Sequence, residues 1–142
     1  MESGMSDLAE RIRARGLPSA VVEIATRGGD AVHSALWYRT ERVSPSPDGP
    51  ASAIVATSGR EDLVPLWTCG TVTVFSAADG SFVQWDAEEE EPWTIWPDFA
   101  GVVRDLLTDL WEDESDDEER AEVARLLLPD GDVAAALVPE ER

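Results

Sequence analysis

Apolar residues recur through residues 99–110 at the spacing of one helix face. They fall at i, i+3, i+4, i+7, i+8 and i+11, namely Phe99, Val102, Val103, Leu106, Leu107 and Leu110. Because an α-helix has 3.6 residues per turn, these positions form one continuous stripe. Asp98 precedes the stripe and can accept a hydrogen bond from a free backbone N–H of the first turn. The pattern predicts an amphipathic helix over residues 99–111 that packs on the core.

Short runs rich in β-branched and aromatic residues lie before this helix. They predict strands at residues 32–43, 53–57, 63–67, 71–75, 82–85 and 92–96. Gly80 lies between two of these runs and can take the positive φ of a hairpin turn. Pro65 has no N–H to donate, which favours an edge position for its run.

Start and stop signals predict helices at both ends of the chain. In chain order they are Ser6, Gly16, Pro18, Gly28-Gly29, a capping box of Ser115 and Glu118, and Pro129. We therefore expect an α+β fold in which an antiparallel sheet of about four to six strands carries N- and C-terminal helices on one face. Residues 1–142 are expected to form a single domain, with a disordered extension at residues 1–4 and an acidic connector at residues 112–119.

The net negative charge of the chain comes from its second part. Residues 1–60 contain seven acids and seven arginines, whereas residues 61–142 contain 23 acids and four arginines and carry the whole formal net charge of −19. Such asymmetry points to a basic partner or to a need for solvation. Phosphate would be repelled by this surface, so direct binding of nucleic acid is not expected.

Candidate chemistry is sparse. His33 and Cys69 are the only histidine and cysteine, which excludes the usual structural zinc site, and the acidic runs lack the ligand spacing of a calcium loop. We expect no catalytic residue, no metal and no cofactor. A small enzyme of unknown type is the third alternative, and Cys69 with His33 is the one dyad that the sequence offers for it. No apolar run approaches the length of a membrane span and the N-terminus lacks a signal-peptide core, so we expect a cytoplasmic protein without membrane contact.

The acids and tryptophans of the second part suggest a partner-binding surface. Trp93 and Trp96 are three residues apart, so on a strand they point to opposite faces and one is a candidate for exposure. An exposed tryptophan beside dense acidic charge is typical of a protein-binding hot spot with electrostatic steering. The alternative is that the acids are merely solvated and both tryptophans are buried. The predicted partner-binding residues are Asp86, Glu88, Glu89, Glu90, Glu91, Trp93, Asp113, Glu114, Asp116 and Asp117.

One stretch combines these features in a recognisable order. It reads TVTVFSAADGSFVQWDAEEEEPWTIWPDFAGVVRDLL: a hairpin with a glycine turn, Trp85-Asp86, four acids, an aromatic strand and a helix that opens with Asp98-Phe99. The segment of residues 63–110 resembles the SUKH superfamily, which includes fungal cell-wall-assembly regulators and bacterial immunity proteins. The resemblance implies a non-catalytic binder that neutralises a cognate toxin, often a nuclease. An acidic antidote to a basic nuclease agrees with the charge argument. An acidic, phosphate-mimicking inhibitor of a nucleic-acid-binding protein is the alternative.

Overall fold

A computed structural model describes residues 3–44 and 46–141 of the chain. Within these ranges two short 3₁₀ turns, Gly29–Ala31 and Ser34–Leu36, lie between the second and third helices. The helices and strands are α1 (Ser3–Ala14), α2 (Ser19–Arg27), α3 (Pro50–Ser58), β1 (Val64–Cys69), β2 (Val72–Ser76), β3 (Phe82–Asp86), β4 (Thr94–Trp96), α4 (Phe99–Glu112), α5 (Asp117–Leu127) and α6 (Val133–Ala136).

The strands form one antiparallel sheet in the order β1-β2-β3-β4, which confirms the predicted α+β class. Gly80 has φ +90° in the turn between β2 and β3, as its position predicts. Pro65 lies in β1 at the edge of the sheet, and the pairing with β2 shifts between Pro65 and Trp67. This irregularity accommodates a residue that cannot donate to the ladder.

Helices from both ends of the chain lie over one face of the sheet. Trp67, Ser76 and Phe82 share this face, because directly paired residues point the same way. The Phe99 ring of α4 lies 6.4 Å from the Trp67 ring and 5.4 Å from the Phe82 ring. From the other end of the chain, Arg15, just after α1, donates to Ser76 Oγ at 3.1 Å. The predicted placement of these helices is thereby confirmed.

On the opposite face, Ala51 and Val55 of α3 line a cavity together with Pro65 of β1. The strand pattern did not predict this helix. Residues 53–57, predicted as a strand, lie inside α3. Pro50 occupies the start of the helix and Gly59 ends it with φ +71°, and these two residues are the signals for a helix. Ala51 and Ile54 are buried, and α3 contacts the sheet. This tertiary packing stabilises the helix although the β-branched residues in it favour a strand.

The strand predicted at residues 32–43 is also wrong. The segment begins with the tight turn at Ser34–Leu36, and its extended part is reduced to one bridge between Glu41 and Thr68 of β1. Aromatic and β-branched residues favour strands only where a partner strand can pair with them. In this segment, Glu41 is the residue that forms a backbone bridge with the edge of β1.

Boundaries at the N-terminus differ from those predicted. The helix α1 begins at Ser3, ahead of the predicted start at Ser6, so the disordered extension expected at residues 1–4 does not include Ser3 and Gly4. Residues 1 and 2 lie outside the described residues.

The acidic connector is shorter than residues 112–119, because α4 extends to Glu112 and α5 begins at Asp117. Asp116, not Ser115, caps α5, and it forms a reciprocal capping box with Glu119. The Ser115 hydroxyl instead donates to the Leu110 carbonyl at 2.7 Å. Across residues 3–44 and 46–141, none of the helices has both the length and the apolar composition that a transmembrane segment requires.

Candidate protein-binding surface

Trp93 is the exposed member of the tryptophan pair. Its side chain is 56% exposed, whereas Trp96, which pairs with Phe82, is 6% exposed. The prediction that one of the two faces solvent is confirmed. The Trp93 N–H donates to the Gln84 carbonyl at 2.8 Å, so the backbone that carries the exposed indole is held by the sheet.

The acidic loop, residues 86–91, is held to the sheet by backbone and side-chain hydrogen bonds. The Ala87 N–H donates to the carbonyl of Thr71, the residue before β2, at 2.9 Å. Asp86 Oδ1 accepts from Thr71 Oγ1 and from the Glu88 N–H, both at 2.9 Å. Trp85 Nε1 donates to the Glu89 carbonyl at 3.1 Å. The side chains that the loop presents to solvent are Glu88, Glu89, Glu90 and Glu91. Four carboxylates are therefore displayed on a backbone of defined conformation next to Trp93.

The acids that follow α4 have a different environment. Asp113 accepts from Arg39, Asp116 caps α5, and Asp117 forms an ion pair with the buried Arg120. Glu114 is exposed and has φ +65°. Three of these four predicted partner-binding acids, Asp113, Asp116 and Asp117, therefore stabilise local structure. The sequence pattern did not predict the contact of Asp113 with Arg39.

Two cavities lie side by side along α4, and Arg39 and Leu106 line both of them. The larger, about 420 Å³, is bordered by Trp37 and Asp113, and the smaller, about 160 Å³, by Trp93. We call the two cavities together the α4 groove. Among the predicted site residues, Trp93 lines the smaller cavity of the groove and Asp113 the larger one. Of its described lining residues, the acidic loop supplies none.

Trp37 and Tyr38 form an exposed aromatic pair at the larger cavity. Trp37 is 73% exposed, and its ring centroid lies 5.4 Å from that of Tyr38. The Arg39 guanidinium lies 5.3 Å from the Tyr38 ring centroid, within the range of a cation–π contact. Sequence reasoning missed this site because it assigned these residues to a strand.

Gly29 holds the segment that presents the aromatic pair. Its N–H donates to the Thr40 carbonyl at 2.7 Å, and Thr40 Oγ1 donates to the Leu36 carbonyl at 2.6 Å. A Cβ at Gly29 would overlap both Thr40 Oγ1 and the Leu36 carbonyl oxygen. Gly29, which follows the end of α2, therefore allows the backbone at Leu36 and Thr40 to pass close to it. This close crossing places Trp37 and Tyr38 at the surface.

Arg39 carries its charge between two carboxylates. Burial lowers the pKa of Arg39, but the hydrogen bond to Asp113 and the negative charges of Asp109 and Asp113 outweigh it, so the net pKa is raised. Its Nη1 lies 3.8 Å from Asp109 Oδ2. The groove thus has a fixed positive group surrounded by negative ones.

Cys69 and His33 do not have the arrangement of a nucleophile and its base. Burial raises the pKa of the Cys69 thiol, and the charge of Glu41 raises it further, which disfavours the reactive thiolate. His33 Nδ1 accepts from the Ala35 N–H, and Nε2 lies 3.0 Å from Glu122 Oε1. Both ring nitrogens of His33 are therefore engaged by groups other than the thiol.

Among the residues that the structure describes, no three His, Cys, Asp or Glu side chains are grouped so that they could hold a metal ion.

Comparisons with known proteins give no match to a family model, a curated protein or a solved structure. The resemblance to the SUKH superfamily therefore stays a hypothesis that depends on the motif in residues 63–110.

Proposed function

We propose that this protein is a non-catalytic, acidic binding protein whose target is a basic protein. The observation that carries the proposal is the exposed Trp93, held by the sheet beside the four solvent-facing glutamates of the acidic loop. Exposed aromatic residues supply affinity in protein interfaces, and surface charge supplies the rate of encounter. The formal net charge of −19 selects a partner of opposite sign.

The biological role that we propose is that of a cytoplasmic immunity protein. By binding a basic, nuclease-type toxin, it would cover the surface that the toxin needs for nucleic acid. Covering a surface requires no catalytic group. This agrees with the raised pKa of the Cys69 thiol and with the hydrogen bonds that engage both ring nitrogens of His33. The motif resemblance to immunity proteins supports the same role from a separate line of reasoning.

An acidic regulator of a nucleic-acid-binding protein would use the same surface. The four exposed glutamates in succession on the acidic loop favour this second candidate, since such a row can imitate phosphate charge. The two roles differ in the consequence of losing the protein: a toxin kills the cell that lacks its antidote, whereas a regulated protein does not.

Affinity capture with matched variants tests the proposal. Columns carrying the wild type, a variant with Trp93→Ala and the four loop glutamates changed to Gln, and a Trp111→Ala control are loaded with host-cell extract. Trp111 is an exposed tryptophan outside the described lining of the α4 groove, so it controls for loss of an indole. We expect one basic protein on the wild-type and Trp111→Ala columns and none on the loop variant. Equal retention by all three columns would contradict the proposal.

The captured protein then separates the two roles. Its expression alone should arrest growth, and co-expression of the wild-type protein should restore it, if the role is immunity. Growth without arrest, together with release of nucleic acid from the captured protein, would assign the regulatory role instead.

A further inference from the structure

We propose that the 420 Å³ cavity beside Trp37 receives an arginine side chain of the partner protein. This inference rests on the proposed function and identifies the anchor through which binding occurs. We call this space the Trp37 cavity. The sequence prediction did not include it, because Trp37 and Tyr38 were assigned to a strand.

The size and lining of the Trp37 cavity suit a long side chain. Its volume falls within the range of about 300–1,000 Å³ that is usual for ligand sites, whereas the neighbouring cavity of about 160 Å³ does not. The buried side chains of Leu36, Leu106 and Leu110 line it. Apolar walls of this kind accept the aliphatic stem of an arginine while its charged head stays near the mouth.

The charges around the Trp37 cavity are complementary to a cation. Asp113 and Glu119 line it, and Asp109 lies 3.8 Å from Arg39 on its border. Arg39 is the only cation among the described lining residues, so the carboxylates at this place outnumber the guanidinium. Two carboxylates, Asp113 and Glu119, and one guanidinium, Arg39, leave a net negative charge on the lining, which attracts a second guanidinium.

The aromatic pair favours arginine over lysine. A guanidinium is planar and weakly hydrated, so it stacks on an indole more readily than an ammonium group does. Arg39 already lies over the Tyr38 ring at 5.3 Å, so one guanidinium is accommodated beside this aromatic pair. Trp37, at 73% exposure, offers the next aromatic surface to an incoming one.

An NMR titration of the full chain with small probes tests this inference without the partner. The probes are N-acetyl-arginine amide, its citrulline analogue, which has the same shape but no charge, and N-acetyl-lysine amide. The readout is the indole N–H resonance of Trp37, with that of Trp111 as an internal reference. We expect the arginine probe to shift the Trp37 resonance, the lysine probe to bind more weakly, and the citrulline probe to have little effect.

Variants complete the test. Trp37→Ala should weaken binding of the arginine probe about two- to fivefold, the range for loss of one exposed cation–π contact, as followed by the backbone resonance of Tyr38. Glu119→Gln should also weaken it while leaving the fold intact, because glutamine can keep the capping box of α5. Trp111→Ala should bind as the wild type does. Equal response to arginine and citrulline, or no effect of Trp37→Ala, would overturn the inference.

The two proposals fail in different ways. If the arginine probe does not bind but the basic partner is still captured through the acidic loop, the anchor assignment is wrong and the proposed function stands. If the probe binds at Trp37 but no basic protein is captured, the proposed function is wrong and the cavity remains a guanidinium site.

Discussion

Arg39 and Asp113 form a two-pronged ion pair although 74 residues separate them in the chain. Nε of Arg39 lies 3.1 Å from Oδ2 of Asp113, and Nη2 lies 3.4 Å from Oδ1. The pair joins the segment that carries Trp37 to the end of α4. It therefore fixes the wall between the two cavities of the α4 groove.

The strength of this pair can be measured by a double-mutant cycle of Arg39→Gln and Asp113→Asn. We expect a coupling of about 0.2–1 kcal/mol in the free energy of unfolding, because the two side chains are 34% and 48% exposed and solvent screens their attraction. Urea denaturation of the wild type, both single variants and the double variant gives this value. Additive effects would show that the pair does not hold the groove wall in place.

Gly29→Ala should disrupt the segment that presents Trp37. The added methyl group meets the Leu36 carbonyl and Thr40 Oγ1, so we expect a cost of about 3 kcal/mol, at the upper end for overpacking. Gly59→Ala is the control, because Gly59 has φ +71° but open space around it, and about 1–2 kcal/mol is expected there. Urea unfolding measures both. Similar costs at the two positions would mean that the backbone crossing at Gly29 is not tight.

The α4 stripe should account for a large share of stability. Leu107 is 2% exposed and Leu126 of α5 is 40% exposed, so they are a matched pair of leucines in different environments. Leu107→Ala should lower the free energy of unfolding by about 2–5 kcal/mol, and Leu126→Ala by less than about 1 kcal/mol. A loss below about 1 kcal/mol at Leu107 would place the stripe outside the core.

Elements whose signals are local were predictable from the sequence. The α4 stripe, its Asp98 cap and the Gly80 turn each depend on residues within a few positions of one another. The α3 helix is not predicted by strand preference, because Ile54 and Val55 favour a strand, whereas Pro50 and Gly59 mark the two ends of a helix.

The candidate site was predictable only in part, for a physical reason. Strand alternation identifies Trp93 and Trp96 as a pair of which one is a candidate for exposure, but it does not explain why Trp93 is the exposed one, because Trp93 precedes β4 and lines the smaller cavity together with Trp96. The ion pair of Arg39 with Asp113 depends on tertiary packing across most of the chain, and no periodic pattern records such a contact. The exposure of Trp37 follows from the close crossing at Gly29, which a propensity argument cannot detect.

Asp62 should make stability depend on acid pH. The hydrogen bond from the Ala78 N–H, and then the one from Arg60, hold the pKa of Asp62 below its ordinary value. Because the folded-state pKa is the lower one, this stabilisation is complete above the unfolded-state pKa and is lost as pH falls through the folded-state pKa. Asp62→Asn should reduce the loss of stability on acidification by less than about 1 kcal/mol, since Asp62 is partly exposed.

Asp48→Asn, at an exposed acid elsewhere in the chain, controls for the removal of one charge. Urea unfolding of the three proteins at neutral pH and at successively lower pH gives the comparison. Parallel pH profiles for the wild type and Asp62→Asn would show that the contacts with Ala78 and Arg60 do not favour the ionised form.

The association rate of the captured basic partner, measured against salt concentration, tests the steering role of the acidic loop most directly. For the wild type the rate constant should fall steeply as the Debye length shrinks from about 10 Å at 0.1 M to about 3 Å at 1 M. Changing Glu88, Glu89, Glu90 and Glu91 to Gln should lower the association rate more than it raises the dissociation rate, and should flatten the salt dependence. Identical association rates and salt dependence for the wild type and this variant would show that the loop is only a solvated surface.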